Sequence, residues 1–323
     1  MSMPLKCSVI IPTYNRAFLL RHTLESLARQ SMPADQFEVL VVDDGSSDET
    51  AVMVEGFNTR LNLRYFFEED EGWRLAKARN VGIANAAAEV CVFLDSGLLA
   101  GSGCLAAHVS SHEESAVPVG VCGYVYGFNV DNEDADAIAK AIDYGDPDGS
   151  IGRMTGNPRW LDIREGFYGI YTDEFHDLPA PWIIFWTCNV SAPTPLTRSV
   201  GGFDEAFRSW GGEDIDFGYR LFNAGAKFIL NRNASAIHCP HSKSMADNNR
   251  SAMANYRYMA EKYGTPIVRL LTEFPDGTPD ERVDLVGPFN MNDVIRERGL
   301  PGCAEYLAHH GTAVTPWPEA ARE

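Results

Sequence analysis

The feature that most restricts the fold of this chain is a rhythm in its first third. Short, almost unbroken apolar runs recur at Cys7–Pro12 (CSVIIP), Phe37–Val42 (FEVLVV), Leu63–Phe67 (LRYFF) and Val90–Leu94 (VCVFL). Runs of that length without polar alternation are what strands buried on both faces look like. Helical patterns lie between them. Phe18–Gln30 carries Leu19, Leu20, Leu24, Leu27 and Ala28 at helical spacing, and Leu75–Ala88 is Ala-rich. Ser46 and Glu49 have the spacing of a capping box that would open a helix through Val54. Strand and helix alternating at this rhythm predict right-handed crossovers and an α/β fold with a doubly wound, mostly parallel sheet covered by helices on both faces. Ligands of such sheets bind beyond the carboxyl ends of the strands. Three polar clusters fall there: Thr13–Arg16, Asp43–Ser46 and Asp95–Gly97.

Beyond the first third the pattern is looser. Residues 129–181 are rich in Asp, Gly, Pro and aromatics and read as an insertion of loops and short helices, either an acceptor wall (Trp160, Phe167, Tyr168, Tyr171, with Trp182) or a small core of its own. Ile183–Asn189 reads as a strand, Thr194–Val200 as a helix, Ile215–Ala224 as a helix stopped by Gly225, Lys227–Leu230 as a strand, and Ala246–Tyr263 as a helix stopped by Gly264. One further helix is expected at Met291–Arg298. The organisation expected is a catalytic domain over 1–265 and a C-terminal extension over 266–323. Within the domain, 1–128 is the regular strand-and-helix part, 129–181 would be the insertion, and 182–265 returns to regular elements.

Composition removes several function classes. Asp and Glu number 45 against 27 Lys and Arg, a net charge of −18. Nucleic-acid binding and tight contact with anionic membranes need a basic surface, so neither is expected. The longest apolar stretches fall far short of the roughly 20 residues that span a bilayer. The N-terminus has no signal-peptide layout. Seven widely spaced cysteines without a C-x-x-C pair point to reduced thiols in a cytoplasmic compartment. No dinucleotide fingerprint, phosphate-binding P-loop or G-x-S-x-G elbow occurs, which disfavours those chemistries.

What remains is carboxylates at strand ends. Asp43 and Asp44 close the second strand, where a carboxylate can accept the imide N–H of uracil or a ribose hydroxyl. Asp95 closes the fourth, where it could hold a hard divalent cation bridging diphosphate oxygens. In Trp210-Gly211-Gly212-Glu213-Asp214, two glycines let the backbone approach a sugar. Trp210 offers a wall for a sugar face and Glu213 can bind hydroxyls. Asp214, at a helix start, stays ionised and can serve as a general base.

The run VIIPTYNR, then VVDDGSSDET, GWRLAKARNVGIANA and VFLDSG, resembles the nucleotide-sugar half of family 2 glycosyltransferases of GT-A (Rossmann-like) fold. VGGFDEAFRSWGGEDIDFGYRL resembles the catalytic segment shared with galactosyltransferases and chondroitin-type polymerases. The resemblance implies that Pro12, Thr13, Tyr14 and Arg16 line the nucleoside pocket and that Asp44 binds uracil, with Asp43 competing. Arg79 and Lys77 would face the nucleotide or its diphosphate, and Asp95 with Ser96 would stand at the metal motif. That motif departs from the usual Asp-x-Asp, with Gly97 in the last place. A metal, Mn²⁺ or Mg²⁺, would then rest on Asp95 and His238, with His241 as the alternative. With few basic residues near the site (Arg16, Arg74, Lys77, Arg79), the diphosphate is expected to need that cation.

These readings imply an inverting transfer from a nucleotide-diphosphate sugar, of the UDP type, to a soluble oligosaccharide, natural product or peptide. Two alternatives stand beside it. One is a degenerate fold that only binds nucleotide sugars, motivated by Gly97. The other is a sugar nucleotidyltransferase, disfavoured because PTYNR is not the Gly-rich basic loop those enzymes carry.

Overall fold

The computed structural model describes residues 4–129, 132–273 and 291–302. The strands are β1 (Cys7–Thr13), β2 (Phe37–Asp43), β3 (Leu63–Phe67), β4 (Val90–Leu94), β5 (Leu98–Ala100), β6 (Val119–Tyr126), β7 (Asn189–Pro193) and β8 (Lys227–His238). They form one eight-stranded sheet in the order β3-β2-β1-β4-β7-β6-β8-β5. The first four are parallel, as expected. β7 then runs antiparallel to β4 and to β6, and β5 antiparallel to β8. The sheet is α/β and mixed, and its parallel half carries the carboxyl-end clusters.

Alternation along each strand sorts side chains into two cores. Val9 and Ile11, Val39 and Val41, and Val92 and Leu94 pack with Leu20, Leu24 and Leu27 of helix Ala17–Leu27 and with Leu105 and Val109 of helix Cys104–Glu114. Ile10, Leu40, Cys91 and Phe93 point the other way, onto Ala76 and Ile83 of helix Leu75–Asn85. Near-continuous apolar strands are the consequence of helices on both faces.

Several local readings change. Glu49 and Ser46 form no capping box. The helix begins at Thr50, and Asp48 serves two starts at once, accepting from Thr50 N–H at 3.1 Å and from Ala17 N–H at 3.0 Å. The run Ile183–Asn189 is not a strand. Pro181–Ile184 is a 3₁₀ turn whose side chains are fully buried, and only from Asn189 does the chain enter the sheet. An apolar run of that length reports burial, and periodicity alone does not choose between strand and turn. Of the insertion's aromatics, Phe167, Tyr168 and Trp182 are core residues and line no surface. The tail also joins this core. Met291, Val294 and Ile295 are buried in it, and Asn292 Oδ1 accepts from Ala180 N–H at 2.8 Å. The remainder of the expected extension, Cys303 included, lies outside the described residues, as do parts of the insertion.

A buried polar chain crosses β7. Asn189 Nδ2 donates to the Ala234 carbonyl, which leaves Oδ1 to accept from His108 Nε2 at 3.0 Å. His108 Nδ1 must then accept from Ser191 Oγ at 2.9 Å, and Ser191 Oγ accepts from His112 Nε2 at 2.8 Å. Both imidazoles are neutral in this arrangement. Burial pushes His108 down to about 4. The unfolded chain binds this proton more readily, so the stability it confers is complete above about 6.5 and is lost as pH falls toward 4, on the order of 3 kcal/mol. Urea midpoints between pH 7 and pH 4 should fall, and should fall less in His108→Gln. Equal slopes in the two proteins would contradict this.

Candidate active site

The site is assembled where the parallel strands end. Thr13 lies beside Asp43 in the register of β1 and β2. The turns after these strands are tied together: Asn15 N–H donates to Ser46 Oγ at 2.7 Å, and Asn15 Oδ1 accepts from Ser47 N–H at 2.8 Å. Pro12 and Thr13 are buried under them. Asp43, the competing uracil ligand, is fully engaged. Its Oδ1 accepts from Ser46 N–H at 2.7 Å and its Oδ2 from the Tyr65 hydroxyl at 2.6 Å. Asp44 differs. Its Oδ2 accepts from Arg74 N–H at 2.9 Å, while Oδ1 faces Arg74 Nε at 3.3 Å and has no hydrogen bond. Burial raises its pKa against the pull of Arg74. Of the two carboxylates, only Asp44 keeps an acceptor in reserve. Around this end stand the exposed rings of Tyr14, Phe67 and Trp73, with the Tyr14 hydroxyl on Asp70 Oδ2 at 3.0 Å. Phe67 and Trp73 were not among the expected pocket residues.

Two basic residues are not where the sequence reading puts them. Lys77 pairs with Glu68 at 2.6 Å on the surface of its helix. Arg79 does not face open space for a diphosphate. It is 2% exposed, its Nη1 donates to Glu213 Oε1 at 2.9 Å, its Nη2 donates to Asp95 Oδ1 at 3.1 Å, and its guanidinium lies over the Phe203 ring at 5.1 Å. Asp95 and Glu213 outweigh burial and hold its charge in place. A planar fork suits two carboxylates on opposite sides. Its neighbour Asn80 closes the same seam. Oδ1 accepts from Phe203 N–H at 2.7 Å and Nδ2 donates to the Phe203 carbonyl and to Glu205. The A-R-N triplet therefore joins the nucleotide half to the W-G-G-E-D half, more than a hundred residues away.

In that second half, Gly211 (φ +87°) and Gly212 (φ +94°) turn the chain into helix Glu213–Asn223 through the left-handed region. A side chain on either would press on helix Met245–Tyr263, 3.1 Å from Ala252 Cβ or 3.2 Å from Asn255 Cβ. Close packing on protein thus accounts for both glycines. Asn255, unremarked in the sequence, grips this turn: Nδ2 donates to the Gly211 carbonyl at 2.6 Å and reaches those of Ser209 and Trp210. Trp210 itself remains 38% exposed. Asp216 is a structural residue, buried among Arg220, Lys262 and Tyr263. Glu213 Oε2 is buried without a partner, an acceptor in reserve beside Arg79. Asp214 is half-buried. Burial, and then the Glu213 carboxylate, push its pKa up to about 7 against the pull of Arg79. The helix start alone would keep Asp214 fully ionised, but desolvation and the Glu213 charge outweigh Arg79 and the backbone N–H groups there. A carboxylate poised near neutrality suits proton abstraction.

The metal residues converge in part. Asp95 closes β4 with its side chain 39% exposed and only Oδ1 taken by Arg79. His238 pairs with Leu98 in the β8–β5 register, and Cys239 N–H donates to the Gly97 carbonyl. The His238 and His241 rings are 5.1 Å apart. Burial above all pushes His238 down to about 3, so its imidazole is neutral and keeps a lone pair. Gly97 sits at φ +104° with its missing side chain aimed at Leu19, so an Asp in that place would be strained and misdirected. Ser96 is buried. Among the described residues no three His, Cys, Asp or Glu side chains form a ready metal set. Asp95 with one imidazole fits a cation that takes its other ligands from a diphosphate.

Comparison with known proteins agrees with this architecture. Residues 8–167 match the model of glycosyl transferase family 2, and residues 174–242 match that described as the N-terminal domain of galactosyltransferase. Validoxylamine A glucosyltransferase of Streptomyces hygroscopicus subsp. jinggangensis is 38% identical over 256 residues, 79% of this chain. The chain spans 60% of that relative's length. The uncharacterized glycosyltransferase YfnE of Bacillus subtilis is 32% identical, over 80% of this chain and 71% of its own. Two solved structures share the fold. Residues 1–349 of Staphylococcus aureus TarS in complex with UDP-GlcNAc superpose with a TM-score of 0.56 at 20% identity, covering 79% of this chain and 67% of that one. The mannosyltransferase PcManGT of Pyrobaculum calidifontis, in complex with GDP-Man and Mn²⁺, gives 0.54 at 18%, covering 80% and 65%. With these matches and the GT-A architecture on which its motifs converge, the chain belongs to family 2 of the glycosyltransferases.

Proposed function

We propose that the protein is an inverting glycosyltransferase that moves a sugar from a UDP-type nucleotide sugar to a small hydroxylated acceptor. The observation that carries this is the convergence, through Arg79, of the strand-end carboxylate Asp95 with the Glu213–Asp214 pair. Asp214 takes the proton from the acceptor nucleophile, which attacks the anomeric carbon from the face opposite the leaving diphosphate. One displacement inverts the configuration. Glu213 Oε2 receives a sugar hydroxyl, and Trp210 backs a sugar face. Asp44 accepts from the uracil imide between the Tyr14 and Trp73 rings. A divalent cation, Mn²⁺ or Mg²⁺, held by Asp95 and His238 or His241, supplies neutralisation of the leaving phosphate when bound. The relative named for validoxylamine A supports a natural-product acceptor. No helix among the described residues is long and apolar enough to cross a membrane. Six described cysteines are free thiols, which supports a reducing, cytoplasmic setting.

Gly97 favours one other reading, a fold that binds nucleotide sugars without turning them over. A thermal-shift screen of UDP-, GDP- and dTDP-sugars with and without Mn²⁺, followed by assay of UDP release, separates the two. Ligand at a hundred times its Kd should add about 2.7 kcal/mol of stability. UDP-sugars are expected to stabilise the fold and to be slowly hydrolysed. Stabilisation by GDP- or dTDP-sugars alone would overturn the uracil assignment, and binding without any turnover would favour the degenerate fold.

A further inference from the structure

Trp210 belongs to none of the hydrophobic cores, and among the described residues its indole N–H makes no hydrogen bond. The two residues after it, Gly211 and Gly212, have no side chains and sit at φ +87° and +94°. A segment of that kind has more conformational freedom than most. What fixes it is a grip on its main chain from helix Met245–Tyr263. Ser251 Oγ donates to the Trp210 carbonyl at 2.8 Å. Asn255 Nδ2 reaches the same carbonyl at 3.3 Å and donates to that of Gly211 at 2.6 Å. Ser251 and Asn255 are four positions apart and share one face of the helix. Ala252, beside them, lies 3.1 Å from where a side chain on Gly211 would begin.

Carbonyls only accept, so the position of Asn255 calls for a donor, which its amide is and a carboxylate or an apolar side chain is not. The other end of the same helix is fastened by charge. Lys262 Nζ joins Asp204 at 2.8 Å to Asp216 at 2.7 Å, and the Tyr263 hydroxyl donates to Asp216 at 2.6 Å. Asp216 lies on helix Glu213–Asn223, so one element ties the Trp210 carbonyl to the helix that begins with Glu213 and Asp214. The open acceptor Glu213 Oε2 stands on the residue that Arg79 joins to Asp95. A sugar joined to a diphosphate at Asp95 is the ring nearest this turn. An exposed indole offers such a ring an apolar face for its C–H side and an N–H for a hydroxyl.

We propose that Ser251 and Asn255 are positioning residues for the donor sugar: their hydrogen bonds to the Trp210 and Gly211 carbonyls set the Trp210 ring against the pyranose that is transferred. Both act through Trp210. The inference rests on the nucleotide-sugar reading above and adds to it a determinant of sugar affinity on a helix that lies beyond both matched family regions. The nucleoside and diphosphate groups belong to the ends of β1, β2 and β4, so the clamp governs the sugar and leaves UDP alone.

Calorimetric titration of the full chain, in MnCl₂, with UDP, UDP-glucose, UDP-galactose and UDP-N-acetylglucosamine tests it. For the sugar that the wild type binds best, Asn255→Leu should raise the ratio of its Kd to that of UDP by about five- to tenfold, the scale of one lost aromatic contact. Trp210→Ala should raise it as much. The double variant should lose no more than either single one, because residues that act through one contact do not add. Ser251→Ala should show a smaller loss of the same kind, and Ser251→Thr, which keeps the hydroxyl, none. UDP itself should bind all of them as it binds the wild type, which shows that they are folded. A wild-type ratio in Asn255→Leu or Trp210→Ala, losses that multiply in the double variant, or an equal loss of UDP affinity would overturn the positioning role. So would a wild-type protein that binds UDP and none of the three sugars. If Asn255→Leu does not fold, the Ser251 variants decide: equal ratios in Ser251→Ala and Ser251→Thr would overturn it. Failure of UDP to bind the wild type would instead overturn the nucleotide-sugar reading.

Discussion

Asp214→Asn should lower kcat by about 10²- to 10⁴-fold, the range for loss of a positioned general base, while the protein stays folded and binds UDP as before. The fold should survive because the substitution is isosteric and Arg79 keeps its two other carboxylates, Glu213 at 2.9 Å and Asp95 at 3.1 Å. The wild-type pH profile carries the complementary result. Burial and the adjacent Glu213 raise the Asp214 pKa to about 7. A base must be deprotonated to act, so kcat/KM should fall tenfold per pH unit below that value and level off above it. Steady-state rates from pH 5 to pH 9, with circular dichroism of the variant, check both. Near wild-type transfer by a folded Asp214→Asn protein would show that another group removes the proton.

Arg79→Met should cost about 3–5 kcal/mol of folding stability, the usual penalty for stripping one partner from a buried ion pair. Domains are stable by only about 5–15 kcal/mol, so the loss is severe. The cause is specific. Glu213, with a side chain 8% exposed, would be left buried and charged. Asp95 would lose its tie to the second half of the domain. Arg79→Lys should fall between wild type and Arg79→Met, because one ammonium cannot span two carboxylates that a planar fork reaches together. In an Arg79→Met protein that still turns over, the acid limb of the pH profile should move to higher pH, since the Arg79 charge pulls the Asp214 pKa down. The denaturation midpoint at constant m-value measures the stability. A change of less than about 1 kcal/mol for Arg79→Met would mean that the two halves are joined chiefly by other contacts, Asn80 first among them.

The predictions differ in how much of them the sequence carried. Asp214, the base proposed here, stood out in the sequence because W-G-G-E-D compresses two left-handed glycines, a helix start and two acids into a few consecutive positions, so its geometry is local. Asp44, the uracil ligand proposed here, stood in the sequence only as one of a pair. Choosing it over Asp43 required seeing that Tyr65 and Ser46 consume both Asp43 oxygens. Arg79 was legible as important and misread in role, because both of its partners lie outside its helix, one of them 134 residues away. Asn255 carried no signal at all. It lies in a stretch whose composition is ordinary, and it matters only through what the fold sets against it.

By itself, then, the sequence determined the strand and helix rhythm, the parallel half of the sheet, and the ends of the strands at which polar residues collect. These follow from apolar periodicity and short-range spacing, which are properties of consecutive residues. Tertiary structure alone decided that β7 joins β4 antiparallel and turns the sheet mixed, that Pro181–Ile184 is a buried turn, that the tail completes the main core, and which charges at the site are already spent. The physical reason is that ion pairing in a buried site depends on distances of 3–4 Å between groups brought together from distant segments. A count of charges, even one as lopsided as −18, cannot show that the Arg16 side chain makes no ion pair among the described residues while Arg79 makes two.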